Sequence, residues 1–324
     1  MKMRLCLSLA AALIALVPLF SGCGDSGSAG PANKTLTIGF AQTGAESAWR
    51  NANTISIKDE AKKRGVDLRF VDANSKVDNQ RKAISDFIAQ KVDVIMVAPL
   101  EVDGWDQVLK DAKAAGIPVI ISDRRISSPP DLYTCFIGSD FLEEGRRAGE
   151  WLAKKTAGKA NIAELQGEVG SAPARDRKKG FEEAIAKFPG MKIIMSQTAN
   201  FRRADGQQLM ATFLQKPEAK DITAVFAHND DMALGAIGAI EAAGKKPGKD
   251  MIIISIDGIK EAFQAMADGK LNCTVECNPL LGPSLFDAAE KIHKGEKVEK
   301  EIYSKEGVFD DTQVTKELID SRKY

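Results

Sequence analysis

The sequence is poor in the residues that most chemistry needs. Of its 324 residues only two are histidine, His228 and His293. With so few, no Cys/His metal cluster can be assembled. The five cysteines are Cys6, Cys23, Cys135, Cys273 and Cys277. The last three lie past the leader described below, and an odd count leaves at least one thiol unpaired. Cys273 and Cys277 fall in a predicted strand, where i and i+4 are about 13 Å apart and cannot bridge. Buried free thiols are therefore expected. Lys+Arg and Asp+Glu both number 45, so no basic excess points to nucleic acid or to an anionic membrane surface. The phosphate-binding turns are missing too. The turn after the first apolar run reads Gly39-Phe40-Ala41-Gln42-Thr43-Gly44-Ala45-Glu46. It carries neither the Gly-Lys-Ser/Thr of a P-loop nor the G-x-G-x-x-G of dinucleotide folds. No G-x-S-x-G elbow occurs. Nothing asks for catalysis, a cofactor or a resident metal, and the chain reads as a non-enzyme.

What is present begins at residue 1. Lys2 and Arg4 precede an apolar run, Leu5–Phe20, which closes on Phe20-Ser21-Gly22-Cys23. A charged start, a short apolar core and small residues make a secretory signal peptide, 1–22, with a lipoprotein-type cleavage site before Cys23. The run is shorter than the about 20 residues a membrane span needs. Cys23 is the expected lipidation site. Residues 23–34 are rich in Gly, Ser, Ala and Asp and read as a flexible tether. The expected location is the periplasm or cell surface, anchored by lipid. Cleavage leaves about 300 residues, enough for two domains, and removes two basic groups.

From residue 35 a short apolar run alternates with a longer amphipathic stretch. The runs are Leu36–Ala41, Leu68–Val71, Val92–Ala98, Ile117–Ser122, Asn161–Leu165, Lys192–Met195, Ile222–Phe226 and Met251–Ile256. They are rich in Ile and Val and mostly apolar rather than alternating, as strands covered on both faces are. The intervening stretches carry helical spacing, as at Ala83, Ile84, Phe87 and Ile88. Strand–helix alternation of this length predicts an α/β fold with parallel sheets. Four units precede residue 135 and four follow it, so two lobes are expected, with Leu132–Asp140 crossing between them.

The polar residues that stand out follow the apolar runs, where open α/β sheets bind ligands. They are Glu46-Ser47-Ala48-Trp49-Arg50, Asp123-Arg124, Glu168, Arg177, Asn200-Phe201, Asn229 and Asp257. An aromatic ring packs on the C–H face of a sugar, and Asp, Asn and Arg take its hydroxyls in charge-assisted pairs. Arg50, Arg124 and Arg177 balance Glu46, Asp123 and Asp257, which favours a neutral polyhydroxylated ligand. Asp230 or Asp231 is expected to cap the helix that follows, with Asn229 facing the cleft. Most of the run Arg175–Lys179 is expected to be a solvated helix face.

Four stretches carry a family resemblance: IPVIISDRR (117–125), ELQGEVGSAPARDRKKGFEEAI (164–185), ITAVFAHNDDMALGAIGAI (222–240) and ISIDG (254–258). With them the chain resembles the periplasmic sugar-binding proteins of ABC importers, in the ribose/galactose-binding (type I) group. GAESAWRNAN (44–53) is most similar to the first ligand loop of galactofuranose binders. Ribose binders carry adjacent phenylalanines there. The resemblance implies two doubly wound parallel-sheet lobes joined by three hinge crossings, near Tyr133–Gly138, Ile256–Ile259 and Cys277–Pro283. It implies a first lobe of 35–136 with 259–278, and a second of 137–258 with 279–324. It implies sugar contacts from Glu46, Ser47, Ala48, Trp49, Arg50, Asp123, Arg124, Arg177, Phe201, Asn229 and Asp257. Cys277 stands where ribose binders place a glutamine, so a polar contact is expected to be missing. The implied partners are a monosaccharide and the permease and ATPase subunits of an importer, with the chain itself a monomer. Another furanose or a pentose, delivered to a chemoreceptor or sensor kinase, is the alternative. A LacI-type repressor shares the lobes but needs a DNA-binding segment where the leader stands.

Overall fold

The computed structural model describes residues 35–324. The leader, the lipidation at Cys23 and the tether lie outside the described residues. Three β–α units open the first lobe, β1 (Thr37–Gln42), α1 (Ala48–Arg64), β2 (Asp67–Asp72), α2 (Val77–Ala89), β3 (Val94–Val97) and α3 (Asp106–Ala114), followed by β4 (Val119–Ser122) and β5 (Cys135–Gly138). The second lobe follows as α4 (Phe141–Lys155), β6 (Lys159–Gln166), α5 (Ala172–Ile185), β7 (Gly190–Thr198), α6 (Arg203–Leu214), β8 (Ala224–Ala227), α7 (Asp230–Ala242), β9 (Ile252–Asp257), α8 (Lys260–Ala267) and β10 (Cys273–Glu276). The chain ends in α9 (Gly282–His293), β11 (Glu301–Tyr303), β12 (Val308–Asp310) and α10 (Lys316–Ser321).

Two six-stranded sheets result, in the orders β11-β5-β4-β3-β1-β2 and β12-β10-β9-β8-β6-β7. All pairs are parallel except β12, which runs antiparallel to β10. Strands buried on both faces explain the mostly apolar runs. In the first lobe Ile38, Phe40, Val94, Met96 and Ile120 join one core layer, and Ala41, Ile95, Val97, Val119 and Ile121 the other. The first layer is closed by Ile57 of α1 with Leu285 and Phe286 of α9, the second by Ile84 and Phe87 of α2 with Leu109 of α3. The expected α/β class and two-lobe architecture are what the structure has.

The expected boundaries need correction. Residues 259–278 belong to the second lobe: β10 pairs in parallel with β9, Cys273 opposite Ile254. Residues 279–324 are divided, because α9 and β11 serve the first sheet and β12 the second. Crossings therefore occur at Gly138–Ser139, at Cys277–Leu281 and between β11 and β12 at Ser304–Gly307. Ile256–Ile259 is no crossing, since the Asp257 carbonyl accepts from Cys277 N at 3.0 Å inside the second sheet. The third crossing escaped sequence analysis because β11 and β12 are three residues long and only partly buried. Such edge strands write no apolar run.

Candidate functional site

Three helices begin at the cleft with capped N-termini. The Ser47 hydroxyl accepts from Arg50 N at the start of α1, and the Ser171 hydroxyl accepts from Ala174 N at the start of α5. The Asn229 carbonyl oxygen accepts from Met232 N at the start of α7. This corrects the expected cap. Asn229 caps and also lines the cleft, its amide donating to the Phe201 carbonyl at 3.1 Å. Asp230 instead turns inward and accepts from Gly258 N, Ile259 N, Thr274 Oγ1 and the Ser255 hydroxyl. Burial pushes its carboxyl up to about 6 against those four donors.

The lobes meet over a narrow cavity lined by Glu46, Ser47, Trp49, Arg50, Asp123, Arg124, Arg177, Phe201, Asn229 and Asp257. Of the residues from which the resemblance implies sugar contacts, all but Ala48 are in that set; Glu168 and Asn200, which the sequence also singled out, are not. Ala48 holds the lobes instead, its N–H donating to Asp231 Oδ2 at 2.7 Å. Phe141, Pro173 and Cys277 complete the lining. Phe141 and Pro173 were missed because they begin helices after polar loops.

Each arginine of the cavity is tied to acids and lies over a ring. Arg50 binds Asp123 at 2.6 Å and Glu46 at 3.1 Å, with its guanidinium 4.7 Å from the Trp49 centroid. Arg124 reaches Glu46 and Glu168, both at 3.3 Å, and lies 5.6 Å from Phe201. Arg177 binds Glu144 at 2.7 Å and the His228 carbonyl at 2.6 Å, and lies 3.6 Å from Asp257. Its guanidinium sits 5.2 Å from Phe141. Burial raises the Glu46 carboxyl, but Arg50 and Arg124 overcome it and hold the group below its usual range. Asp257 goes the other way: burial, then Asp230 and Glu144, push it well up despite Arg177. Two buried atoms of the wall, Glu46 Oε2 and Arg124 Nε, have no hydrogen-bond partner within the chain. Of the basic run, Arg175 is exposed beside Asp176, while Arg177 is buried in the cavity wall.

Tight backbone approach fixes these positions. A Cβ on Gly145 would lie 2.1 Å from the Arg177 carbonyl, so α4 and α5 come as close as only glycine permits. That approach seats Glu144 against Arg177. A Cβ on Gly167 would lie 2.0 Å from the Phe201 ring. Asp123, Phe201 and Asp257 have φ of 62°, 60° and 134°, conformations that non-glycine residues hold only under tertiary constraint.

Further bonds join the lobes around the cavity. Val102 N donates to the Gly170 carbonyl at 3.0 Å, and Trp49 Nε1 donates to the Cys277 carbonyl at 2.7 Å. Cys277 thus contributes its backbone where a polar side chain was expected to be missing. Its thiol is buried and free, as are those of Cys135 and Cys273. Behind the wall, Gly167 N donates to His228 Nδ1 at 3.3 Å, leaving Nε2–H to donate to Glu164 at 3.1 Å. Burial works to raise the Glu164 carboxyl, but the bonds from His228, Ser196 and Lys178 bring it down to about 2. A carboxylate lowered by folding adds stability that is present above its unfolded value, near 4.5, and is lost as pH falls toward 2. Glu164→Gln is therefore expected to flatten the acid limb of a Tm-versus-pH curve between about pH 4.5 and 2. An unchanged limb would show that other carboxylates carry it.

A two-lobe cleft closed over a small polar cavity is matched by the sequence comparison. Residues 38–297 match the model of the periplasmic binding protein domain. The chain belongs to the periplasmic binding protein family. It is 48% identical over 262 residues to the galactofuranose-binding protein YtfQ of Escherichia coli (strain K12), covering 80% of this chain and 82% of that protein. The periplasmic binding protein component of the arabinose ABC transporter from Shewanella sp. ANA-3, solved with α- and β-L-arabinofuranose, superposes with a TM-score of 0.86. The two are 48% identical, and 89% of this chain and 96% of that one are covered. A Mycobacterium smegmatis protein in complex with β-D-fucofuranose superposes with a TM-score of 0.84 at 52% identity, over 86% and 93% of the two chains. The Escherichia coli and Shewanella relatives are binding proteins. Family membership carries the periplasmic location.

Proposed function

We propose that this periplasmic binding protein is the lipid-tethered receptor of an ABC sugar importer. It binds one neutral monosaccharide in furanose form, galactofuranose first among candidates, and delivers it to the permease. The observation that carries this reading is the charge arrangement of the cavity. Three arginines and their acids neutralise one another inside the wall, leaving directional donors and acceptors without net attraction for an ion. Trp49, Phe141 and Phe201 supply the apolar faces that a ring's C–H side needs. Three relatives whose names or bound ligands are furanose sugars support the ring form.

The mechanism is hinge closure. Asp123, Arg50 and Glu46 come from the first lobe, Arg177, Asn229 and Asp257 from the second, so a ligand touching both stabilises the closed arrangement. The closed form is what the permease recognises, and the tether at Cys23 keeps it nearby.

Thermal shift and calorimetry test this, with galactofuranose, L-arabinose and D-fucose beside ribose and galacturonic acid. A bound sugar at about 1,000 times its Kd adds about 4 kcal/mol and raises Tm by several degrees. A rise with a neutral furanose-forming sugar is expected. A response to the sugar acid alone, or to none of the panel, would overturn the reading.

A further inference from the structure

A second cavity opens at the hinge, away from the first, with Glu144, Arg147 and Glu306 among its lining residues. Behind the two glutamates lies Cys277, which also faces the sugar cavity. One carboxylate oxygen of each glutamate and the Cys277 sulfur all lie within 4.8 Å of one another. The three groups come from α4, the second crossing and the third crossing. The Glu144 side chain is 1% exposed; Arg177 takes its Oε2, and among the described residues its buried Oε1 has no hydrogen-bond partner outside the cluster, where the Cys277 thiol faces the carboxyl. Ser139 Oγ closes the cluster, 3.4 Å from Cys277 Sγ and donating to Glu306 Oε1.

We propose that Glu144, Cys277 and Glu306 form a zinc-binding site at the hinge, loaded through the second cavity and independent of the sugar. This departs from the sequence expectation of no metal, which rested on the scarcity of histidine. The donor set decides the ion. A thiolate with two carboxylate oxygens suits Zn²⁺, with Zn–S about 2.3 Å and Zn–O about 2.1 Å, whereas Mg²⁺ and Ca²⁺ take all-oxygen sets. Water completes a tetrahedron.

Charge supports the same assignment. Without a cation the groups oppose one another's ionisation. Burial and the nearby Glu144 push Glu306 up to about 8 and raise the Cys277 thiol well above its usual range. Among the described residues two guanidinium groups face them: Arg147, already paired with Glu143 and donating to the Glu306 carbonyl, and Arg177. Once ionised, the three ligands balance one dication and the Arg177 guanidinium. Binding displaces the protons that the ligands carry, so affinity rises with pH.

The test is titration of metal-free protein with Zn²⁺ alone by calorimetry, with Co²⁺ as the spectroscopic probe. One equivalent with proton release is expected, and a thiolate-to-Co²⁺ charge-transfer band. Cys135 and Cys273 are buried in β5 and β10, so C277S should abolish the band and weaken Zn²⁺ binding by more than roughly tenfold. E306Q should weaken it likewise, and serves if C277S misfolds, because Glu306 is only partly buried in a loop. No saturable uptake, or equal Zn²⁺ affinity in wild type and both variants, would overturn the site. Neither outcome depends on sugar, so failure here leaves the proposed function standing.

Discussion

Replacing Arg177 with alanine is expected to cost about 3–5 kcal/mol of stability, the usual effect of removing one member of a buried ion pair. Among the described residues Arg177 is the only cation bonded to Glu144, at 2.7 Å, and the only one paired with Asp257, at 3.6 Å. Its guanidinium also satisfies the His228 carbonyl at 2.6 Å. Truncation leaves all three acceptors buried. Sugar affinity is expected to fall by about 2–5 kcal/mol as well, because Arg177 is desolvated in the cavity wall. Arg177→Lys should not restore it, since an ammonium cannot span carboxylate and carbonyl as the planar fork does. Urea denaturation and calorimetry read the two effects separately. Wild-type affinity in a folded Arg177→Ala protein would remove the residue from the site.

The second large effect belongs to a residue without a place in the cavity. Asp230→Ala strips the acceptor from Gly258 N, Ile259 N, Ser255 and Thr274 at once. Each buried donor left unpaired costs about 1–3 kcal/mol, so a loss of about 4 kcal/mol or more is expected. Gly258 directly follows Asp257, so the loop that carries a cavity carboxyl should loosen and sugar binding weaken with it. Asp230→Asn keeps the shape and tests the charge. The folded-state value, about 6, stands above the usual aspartate value of 3.8. The contribution of the protonated group is therefore full below about 3.8 and lost as pH rises through about 6. The stability gap between wild type and Asp230→Asn should narrow in favour of the variant over that window. A constant gap would place the Asp230 titration outside it.

How much of this was legible follows from burial. Strands β1, β3, β4, β8 and β9 are buried along nearly their whole length, so their sequences are largely apolar and announce themselves, while the edge strands β2 and β7 are only partly buried. β11 and β12 are short sheet edges, and no local signal marks Ser304–Gly307 as a crossing. The misplaced boundary at Ile259 has the same origin. A polar strand end followed by Gly258 looks like a chain leaving its sheet, whereas Asp230 holds that loop in place from 28 residues away in sequence. Residues at strand ends were readable because the fold puts ligands there. Phe141 was not, because nothing in its own segment says that α4 starts at the cleft. Glu144 and Glu306 were invisible for a plainer reason: they are 162 residues apart, and only the crossings bring them together.

Those crossings also set an order of assembly. The chain leaves the first sheet after β5 and returns only with α9 and β11. A ribosome or export channel releasing the protein from its N-terminus therefore presents a first lobe that lacks one covering helix and an edge strand. By then β6 to β10 are already out and can pair among themselves. The lobe begun first is finished last. Its layer around Ile38, Phe40 and Met96 stays open to water until Leu285 and Phe286 arrive to cover it.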